Sequence, residues 1–539
     1  MLPEAESYEA LRLRFAWRIP ARYNIASAIC DRWAERLPCA PAILEALGDG
    51  MVVTTTFRQL QQRANRLANA LKGLGVGPGD RVGILLPQTT AAAVTHVAVY
   101  KLGAVAVPLF TLFGPDALHY RLADSAAKAV VGTPEGLATL DDAGGDLPDM
   151  AHRIAVGGPA PQAHDYETLL ARAGDAFDTA DTAAEDPAMV IYTSGTTGQP
   201  KGALHAHRVL LGHLPGVEMP QRFFPKSGDL FWTPADWAWI GGLLDVLLPS
   251  LAHGVPVLAK RFPKFDPEAA FDLMARVGVR NAFMPPTALK MMRQVPDPAA
   301  RHDLRVRSIG SGGETLSPEL LDWGRETFGI TINEFYGQTE CNLIVANCAD
   351  IMSVQDGSMG RAVPGHEVAI LGDDGEPAAT GEPGTIAVRA PDPAMFLEYL
   401  NKPEATAAKF HGDWLLTGDT ATMDADGYIR FVGRDDDIIT TGGYRVGPSE
   451  IEAGLARHPA VAMAAVVGVP DAIRGERVKA FIVLNPGHEA SDALATELQR
   501  RIKQRVAAHA YPREIAYVSE LPMTATGKIR RKALREGTA

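Results

Sequence analysis

Cysteine is scarce in this chain. There are four in 539 residues, at Cys30, Cys39, Cys341 and Cys348, and their spacing fits neither a disulfide framework nor a zinc knuckle, so reduced, mostly buried thiols are expected. No run of about 18 apolar residues occurs, which is what a membrane-crossing helix needs. The start, MLPEAESYEA, is acidic and has no apolar segment of the kind that directs secretion. These absences predict a cytoplasmic protein with no membrane partner. Positive charge is also in deficit: 52 Lys and Arg against 64 Asp and Glu leave a formal charge of -12. An acidic surface does not attract nucleic acid or anionic lipid, although small anions can still gather where lysines and glycines cluster. Internal repeats and low-complexity tracts are missing as well. What remains is 46% hydrophobic and 22% charged, close to soluble globular proteins and far from disordered or fibrous ones. The length exceeds the roughly 250–300 residues at which single cores stop growing, so at least two domains are expected.

Periodicity organises the first four fifths of the chain. Phe57, Leu60, Ala64, Leu67, Ala68 and Leu71 fall on one face of a helix that Gly73, Gly75, Gly77, Pro78 and Gly79 terminate. A buried strand RVGILLP follows, then an alanine-rich helix from about Ala91 to Leu102 and a second strand, AVAVPLF. KAVVG, PAMVIY, VPVLA and RNAFMPP repeat this outline, which predicts mainly parallel sheets covered by helices. After about residue 355 the texture turns to short strands with Gly and Asp turns, expected to form a β-rich subdomain. Past Arg434 a helix from Ser449 to His458, the strands VAMAAVVGV and ERVKAFIVL, a helix near 491–507 and a basic tail suggest a small α+β unit able to fold alone. The boundary is placed in the charged segment Arg434-Asp435-Asp436-Asp437, giving domains 1–434 and 435–539.

Five clusters carry candidate chemistry. YTSGTTGQPKG at 192–202 is a glycine and hydroxyl loop behind an apolar strand; its backbone N–H groups and Lys201 suit a phosphate chain, or it is a polar surface loop. The Walker spacing GxxxxGK[ST] is not there. SGGET follows the apolar VRSIG. In EFYGQTE, Tyr336 can stack on a base, Thr339 can bond a phosphate oxygen and Glu340 can hold magnesium, while a helix cap or buried turn is the competing reading. Asp419 is suited to a ribose diol, with Arg434 nearby in sequence. The tail PMTATGKIRRKALRE sets Lys528 in a glycine turn among arginines, or is simply a solvated basic end.

In this order YTSGTTGQPKG, YGQTE, TGD, GRDDDII and TGKIRR resemble the adenylate-forming superfamily, over nearly the whole chain from the helix near 57 to Lys528. The block from GGYRVGPSEIE to VKAFIVL is most similar to the acetyl-CoA and medium-chain acyl-CoA synthetase branch. The resemblance implies activation of a carboxylic acid with ATP, magnesium and coenzyme A, through an acyl-adenylate. Thr193, Ser194, Gly195, Thr196, Thr197, Gly198 and Lys201 would cradle the outer phosphates. Gly313, Glu314, Tyr336, Gly337 and Gln338 would form the adenine slot, Thr339 would touch the α-phosphate, and Glu340 would ligate magnesium. Asp419, helped by Arg434, would hold the ribose, and Lys528 would bridge the reacting carboxylate and the α-phosphate. Asp436 matches the hinge about which the small domain rotates between half-reactions. Gly442, Gly443 and Tyr444 would line the thiol tunnel, and Arg445 and Arg474 match CoA-contacting arginines, or form surface ion pairs. A homodimer is a habit of the branch.

Acetate-restricted relatives carry tryptophan directly after the tyrosine of YxQTE, and here that position is Gly337. Each further buried methylene contributes roughly 0.8 kcal/mol, so an acid larger than acetate is expected. The pocket is expected to involve Trp237, Trp239, Gly241, Gly312 and Gly337, with core packing as the alternative for either tryptophan. A short or medium acid fits, branched and thioether acids such as 3-methylmercaptopropionate included. Aryl acids remain open, and a dicarboxylate is disfavoured because no arginine or lysine need sit in the pocket. The competing functions are an adenylation protein that loads a carrier-protein thiol, and an inactive nucleotide or acyl sensor.

Overall fold

A computed structural model describes the chain apart from residues 49, 143, 145, 194–198, 435–436, 438, 442–443, 472–474, 506–510, 525–527 and 538–539, and apart from the side chains of Arg434, Thr440, Thr441, Tyr444, Arg445, Ser449, Glu450, Gln504 and Arg505. Local chemistry sets the first large helix, Phe57–Gly73. The Thr56 hydroxyl accepts from the Gln59 amide at 3.3 Å while the Gln59 side chain accepts from the Thr56 amide at 2.9 Å. Such a reciprocal cap satisfies two donors that the first turn would otherwise leave unpaired. All six residues of the apolar face, from Phe57 to Leu71, are fully buried.

Among the described residues the strands form four sheets. The first has eight strands. Arg81–Leu85 lies at its centre between Val105–Pro108 and Ala127–Gly132, all parallel, and Pro187–Thr193 runs alongside. Lys201–Ala206 then turns back antiparallel, and the two-residue strand Glu398–Tyr399 closes that edge. The second sheet has nine strands, with a parallel centre in which Phe231–Trp232, Asn281–Phe283, Ser308–Ser311 and Asn333–Gln338 are successive neighbours. The centre of the first sheet consists of Val-, Ile- and Ala-rich runs, and the short central strands of the second, such as Asn281–Phe283 and Ser308–Ser311, are likewise buried, as parallel sheets require. The third sheet is antiparallel and holds Val368–Leu371, Gly384–Arg389, Phe410–His411, Trp414–Met423 and Ile429–Arg434. The fourth lies wholly between residues 439 and 517, where the long pair Val461–Asp471 and Gly475–Leu484 forms its spine. The fold is thus mixed α/β in the large part, with a β-rich subdomain and a smaller α+β C-terminal part, in agreement with the periodicity.

Two expectations about packing can be stated directly. Cys30, Cys341 and Cys348 are buried and Cys39 is exposed, and none is bonded to another. Among the described residues no helix is long and apolar enough to cross a membrane.

Candidate active site

The YTSGTTGQPKG loop leaves the first sheet between Pro187–Thr193 and Lys201–Ala206, with Thr193 opposite Lys201 in register. Ser194, Gly195, Thr196, Thr197 and Gly198 lie outside the described residues. Both shoulders of the loop are tied to the helix Pro115–Asp124. The Tyr192 hydroxyl donates to Asp124 Oδ2 at 2.7 Å, and the Tyr120 hydroxyl donates to the Pro200 carbonyl at 2.9 Å. Lys201 therefore starts from a fixed base.

Lys201 and Glu340 meet at Tyr399, a residue the sequence motifs did not single out. The Tyr399 hydroxyl donates to Glu340 Oε1, and Lys201 Nζ stands 5.1 Å from the Tyr399 ring centroid. The ring face attracts the ammonium through its quadrupole, while the hydroxyl orients a carboxylate that is itself buried. Strand pairing brings Tyr399 there: Glu398–Tyr399 pairs with Leu204 and Ala203, just downstream of Lys201.

The chemistry of this donor set bears on magnesium. Among the described residues no group of three or more His, Cys, Asp or Glu side chains could cage a metal ion. One buried carboxylate beside a lysine suits magnesium, which dehydrates reluctantly and takes most of its ligands from phosphates and water. Glu340 would hold it, and the ion would supply charge neutralisation on the triphosphate.

Asp419 gathers the other half of YGQTE. Its Oδ2 accepts from the Tyr336 hydroxyl at 2.6 Å and from Gln338 Nε2 at 2.6 Å, and Gln338 also donates to the Thr417 carbonyl at 3.0 Å. Burial, reinforced by the negative charge of Asp419, pushes the Tyr336 hydroxyl well above the usual range, so it remains a donor. Asp419 is paired in register with Arg434 across the two strands. Thr339, half-buried, lies between the Asp419 and Glu340 clusters in sequence.

Gly337 requires a correction. The strand pair carries a register shift between Tyr336 and Gly337, and a Cβ at Gly337 would lie 1.7 Å from the Asn342 carbonyl oxygen and 2.9 Å from Leu343 Cα. The side-chain direction leads into backbone, not into a pocket. Glycine is needed here for the close approach of two strands, and its smallness by itself opens no acyl space.

An aromatic cluster packs against the neighbouring glycines Gly312 and Gly313. Gly313, at φ +92°, presents its face to the Trp239 indole, which a Cβ would meet at 3.4 Å. Trp239 also packs on Gly241, and Phe335 on Gly312. The Trp239 and Phe283 rings are 5.6 Å apart, and Phe283 and Phe335 5.3 Å. Of the two tryptophans, Trp237 is fully buried within the main hydrophobic core, which is the packing alternative, whereas Trp239 is half-buried beside the glycine loop. Glu314 accepts from the Thr287 hydroxyl at 2.7 Å and lies 3.6 Å from Lys290 Nζ, so its carboxylate serves to fix the loop end. Two further acids nearby are perturbed. Burial pushes Glu334 up to about 8 and Asp236 up to about 6, although each accepts a backbone N–H, from Leu316 and Ala238.

Lys528 is exposed and lies one residue before the Ile529 end of the Met523–Ile529 bridge in the C-terminal part. Asp436, Gly442, Gly443 and Arg474 lie outside the described residues. Tyr444 and Arg445 belong to the strand Tyr444–Val446, paired with Ile439–Thr441, and the placement of their side chains falls outside the described set, as does that of Arg434.

Comparison with known proteins agrees with this geometry. Residues 30–400 match the family model of the AMP-binding enzyme, and residues 450–528 match that of the AMP-binding enzyme C-terminal domain. Human mitochondrial acyl-coenzyme A synthetase ACSM5 is 35% identical over 533 residues, covering 96% of this chain and 91% of the relative. Acetyl-coenzyme A synthetase of Bacillus subtilis is 36% identical over 488 residues, covering 89% and 84%. The crystal structure of the anthranilate CoA ligase AuaEII with anthranoyl-AMP superimposes with a TM-score of 0.88 at 31% identity, covering 96% of this chain and 98% of that one. The chain belongs to the AMP-binding enzyme family, in the acyl-CoA synthetase branch of the adenylate-forming superfamily, and is an AMP-forming acid–CoA ligase that uses ATP, magnesium and coenzyme A.

Proposed function

We propose that this enzyme converts an apolar carboxylic acid larger than acetate, of short or medium length, to its acyl-CoA through an acyl-adenylate, releasing pyrophosphate and then AMP. The observation that carries the reading is the meeting of Lys201 and Glu340 at Tyr399, one cation and one buried carboxylate at the base of the glycine loop. A carboxylate attacking a triphosphate concentrates negative charge, and preorganised lysine and magnesium are what such a transition state needs. In this reading Thr193 to Gly198 and Lys201 cradle the outer phosphates, Glu340 holds magnesium, Thr339 touches the α-phosphate, and Asp419 with Arg434 holds the ribose. Gly313 and Tyr336 flank the adenine, and Lys528 stabilises charge between the carboxylate and the α-phosphate.

The acid is read from the aromatic wall. Trp239, half-buried beside Gly313, packs on Phe283 and Phe283 on Phe335, both buried in the core behind it, and this apolar surrounding favours an apolar tail over a second carboxylate. The same rings suit a flat aryl acid, and the similarity to an anthranilate CoA ligase makes that the second reading. The remaining assignments are proposals of the same kind: domains 1–434 and 435–539 with the hinge at Asp436, CoA contacts at Gly442, Gly443, Tyr444, Arg445 and Arg474, a cytoplasmic location and a homodimer. A pyrophosphate-release screen with coenzyme A tests the reading, using acetate through octanoate, isobutyrate, 3-methylmercaptopropionate, benzoate and anthranilate. Preference for an acid of four or more carbons supports it, benzoate or anthranilate in first place selects the aryl reading, and preference for acetate contradicts both.

A further inference from the structure

The basic tail was open to reading as a solvated end, and its geometry shows otherwise. Met523 and Ile529 form an antiparallel bridge. Inside it the Thr524 amide donates to the Lys528 carbonyl at 2.7 Å and the Lys528 amide donates to Thr524 Oγ1 at 3.0 Å, while just outside it the Arg530 amide donates to the Pro522 carbonyl at 2.8 Å. The backbone of Lys528 is thus held through both its amide and its carbonyl by Thr524. Three residues on, the helix Arg531–Arg535 begins. Arg531 Nη2 donates to both carboxylate oxygens of Glu452 at 2.9 Å, and its Nη1 donates to Asp437 Oδ2 at 3.3 Å. Arg535 Nη2 donates to Asp437 Oδ1 at 2.5 Å. Glu452 is anchored in turn, accepting from the Val466 amide at 2.8 Å.

These charges are shielded: the side chain of Arg531 is 19% exposed and that of Asp437 11%. Holding the tail down does not require them, because Leu534 already packs with Leu521, Ala465 and Val467 in a small apolar cluster. What a guanidinium adds over an apolar anchor is direction, since its forked donors fix orientation as well as distance. Asp437 is also the last residue of the charged segment between the third and fourth sheets, so the network joins the start of the C-terminal part to the backbone at Lys528.

We propose that Asp437, Arg531 and Glu452 are positioning residues for Lys528, locking its turn to the first residues of the C-terminal part so that the ammonium is presented at a fixed place for adenylation. The inference rests on Lys528 being the adenylation lysine of the proposed function. The test separates the two half-reactions, using the best acid from the screen: pyrophosphate release without coenzyme A, and CoA-dependent consumption of the preformed acyl-adenylate. Asp437→Asn and Arg531→Met should lower the first by about 10- to 100-fold, the scale expected when a catalytic group is misplaced by an ångström or so, and leave the second near wild type. Arg531→Lys, which keeps the charge and loses the fork, should fall between and guards against a variant that does not fold. A merely structural role would lower both half-reactions together with the melting temperature, and that result overturns the inference, as does unchanged pyrophosphate release. Lys528→Ala run in parallel keeps the two claims apart. If it shows the split and the tail variants do not, the positioning inference alone fails; if it leaves pyrophosphate release intact, the assignment of Lys528 fails and the inference with it.

Discussion

Asp419 and Lys528 are held in opposite ways. Asp419 is buried, and two side chains of the YGQTE strand converge on one of its oxygens at 2.6 Å each. Lys528 is exposed, and what is fixed is its backbone turn and the arginines behind it. In the proposed reading Asp419 grips the ribose throughout, and such a group gains from being preorganised by its own side-chain contacts. Lys528, proposed to act in one half-reaction, is instead carried on a rigid base.

That contrast is sharpest in variants. Lys528→Ala should cost the most, about 100-fold or more in pyrophosphate release, the scale of removing one charge-stabilising group from a transition state. Thioester formation from a supplied acyl-adenylate should survive, and equal loss of both would break the comparison. Asp419→Ala should instead weaken ATP in both directions of the first half-reaction, raising KM for ATP by about 10- to 100-fold, because hydrogen bonds to a charged group are each worth about 1.5–3 kcal/mol. Steady-state kinetics at varied ATP check this, and an unchanged KM would show that Asp419 only braces Tyr336. Tyr399→Phe removes the hydroxyl that orients Glu340 and keeps the ring beneath Lys201. Its expected effect is about tenfold, the low end for groups that orient a metal ligand, read as a higher magnesium requirement at saturating ATP.

Much of this was legible in the sequence, and the parts that were not have physical reasons. Short continuous apolar runs mark the strands around Arg81–Leu85 and a helical period marks Phe57–Gly73, because burial leaves a signature in each. Tyr399 was not legible: a two-residue strand has no period, and its importance arises only when that edge pairs beside Lys201. Gly337 misled for a related reason. A missing side chain reads as space until the backbone shows that the space is taken by the Asn342 carbonyl. The tryptophans of WTPADWAWIGG divide likewise, since neighbours two residues apart can face core and site in turn, and only packing says which does which.

The smallest expected effects concern stability and pH. Glu334 has its pKa raised to about 8 in the fold, against about 4.5 unfolded, so the folded state binds the proton more tightly. Stability is then level below the unfolded value, declines as pH rises between about 4.5 and 8, and is flat above that, at a cost on the order of a few kcal/mol. Glu334→Gln keeps the oxygen that accepts from Leu316 and removes the titration. It should unfold at a higher temperature than wild type at pH 8 and show a much smaller difference at pH 5; a gap that does not change with pH would contradict the buried, protonated acid.

The central claim is that ATP is cleaved between its α- and β-phosphates to make an acyl-adenylate. Incubating the enzyme with α-labelled ATP, magnesium and the preferred acid, without coenzyme A, tests this directly. Label appearing in an acyl-adenylate, with one pyrophosphate released per adenylate formed, is the predicted result; label recovered as ADP, with the acid converted to an acyl phosphate, would contradict it.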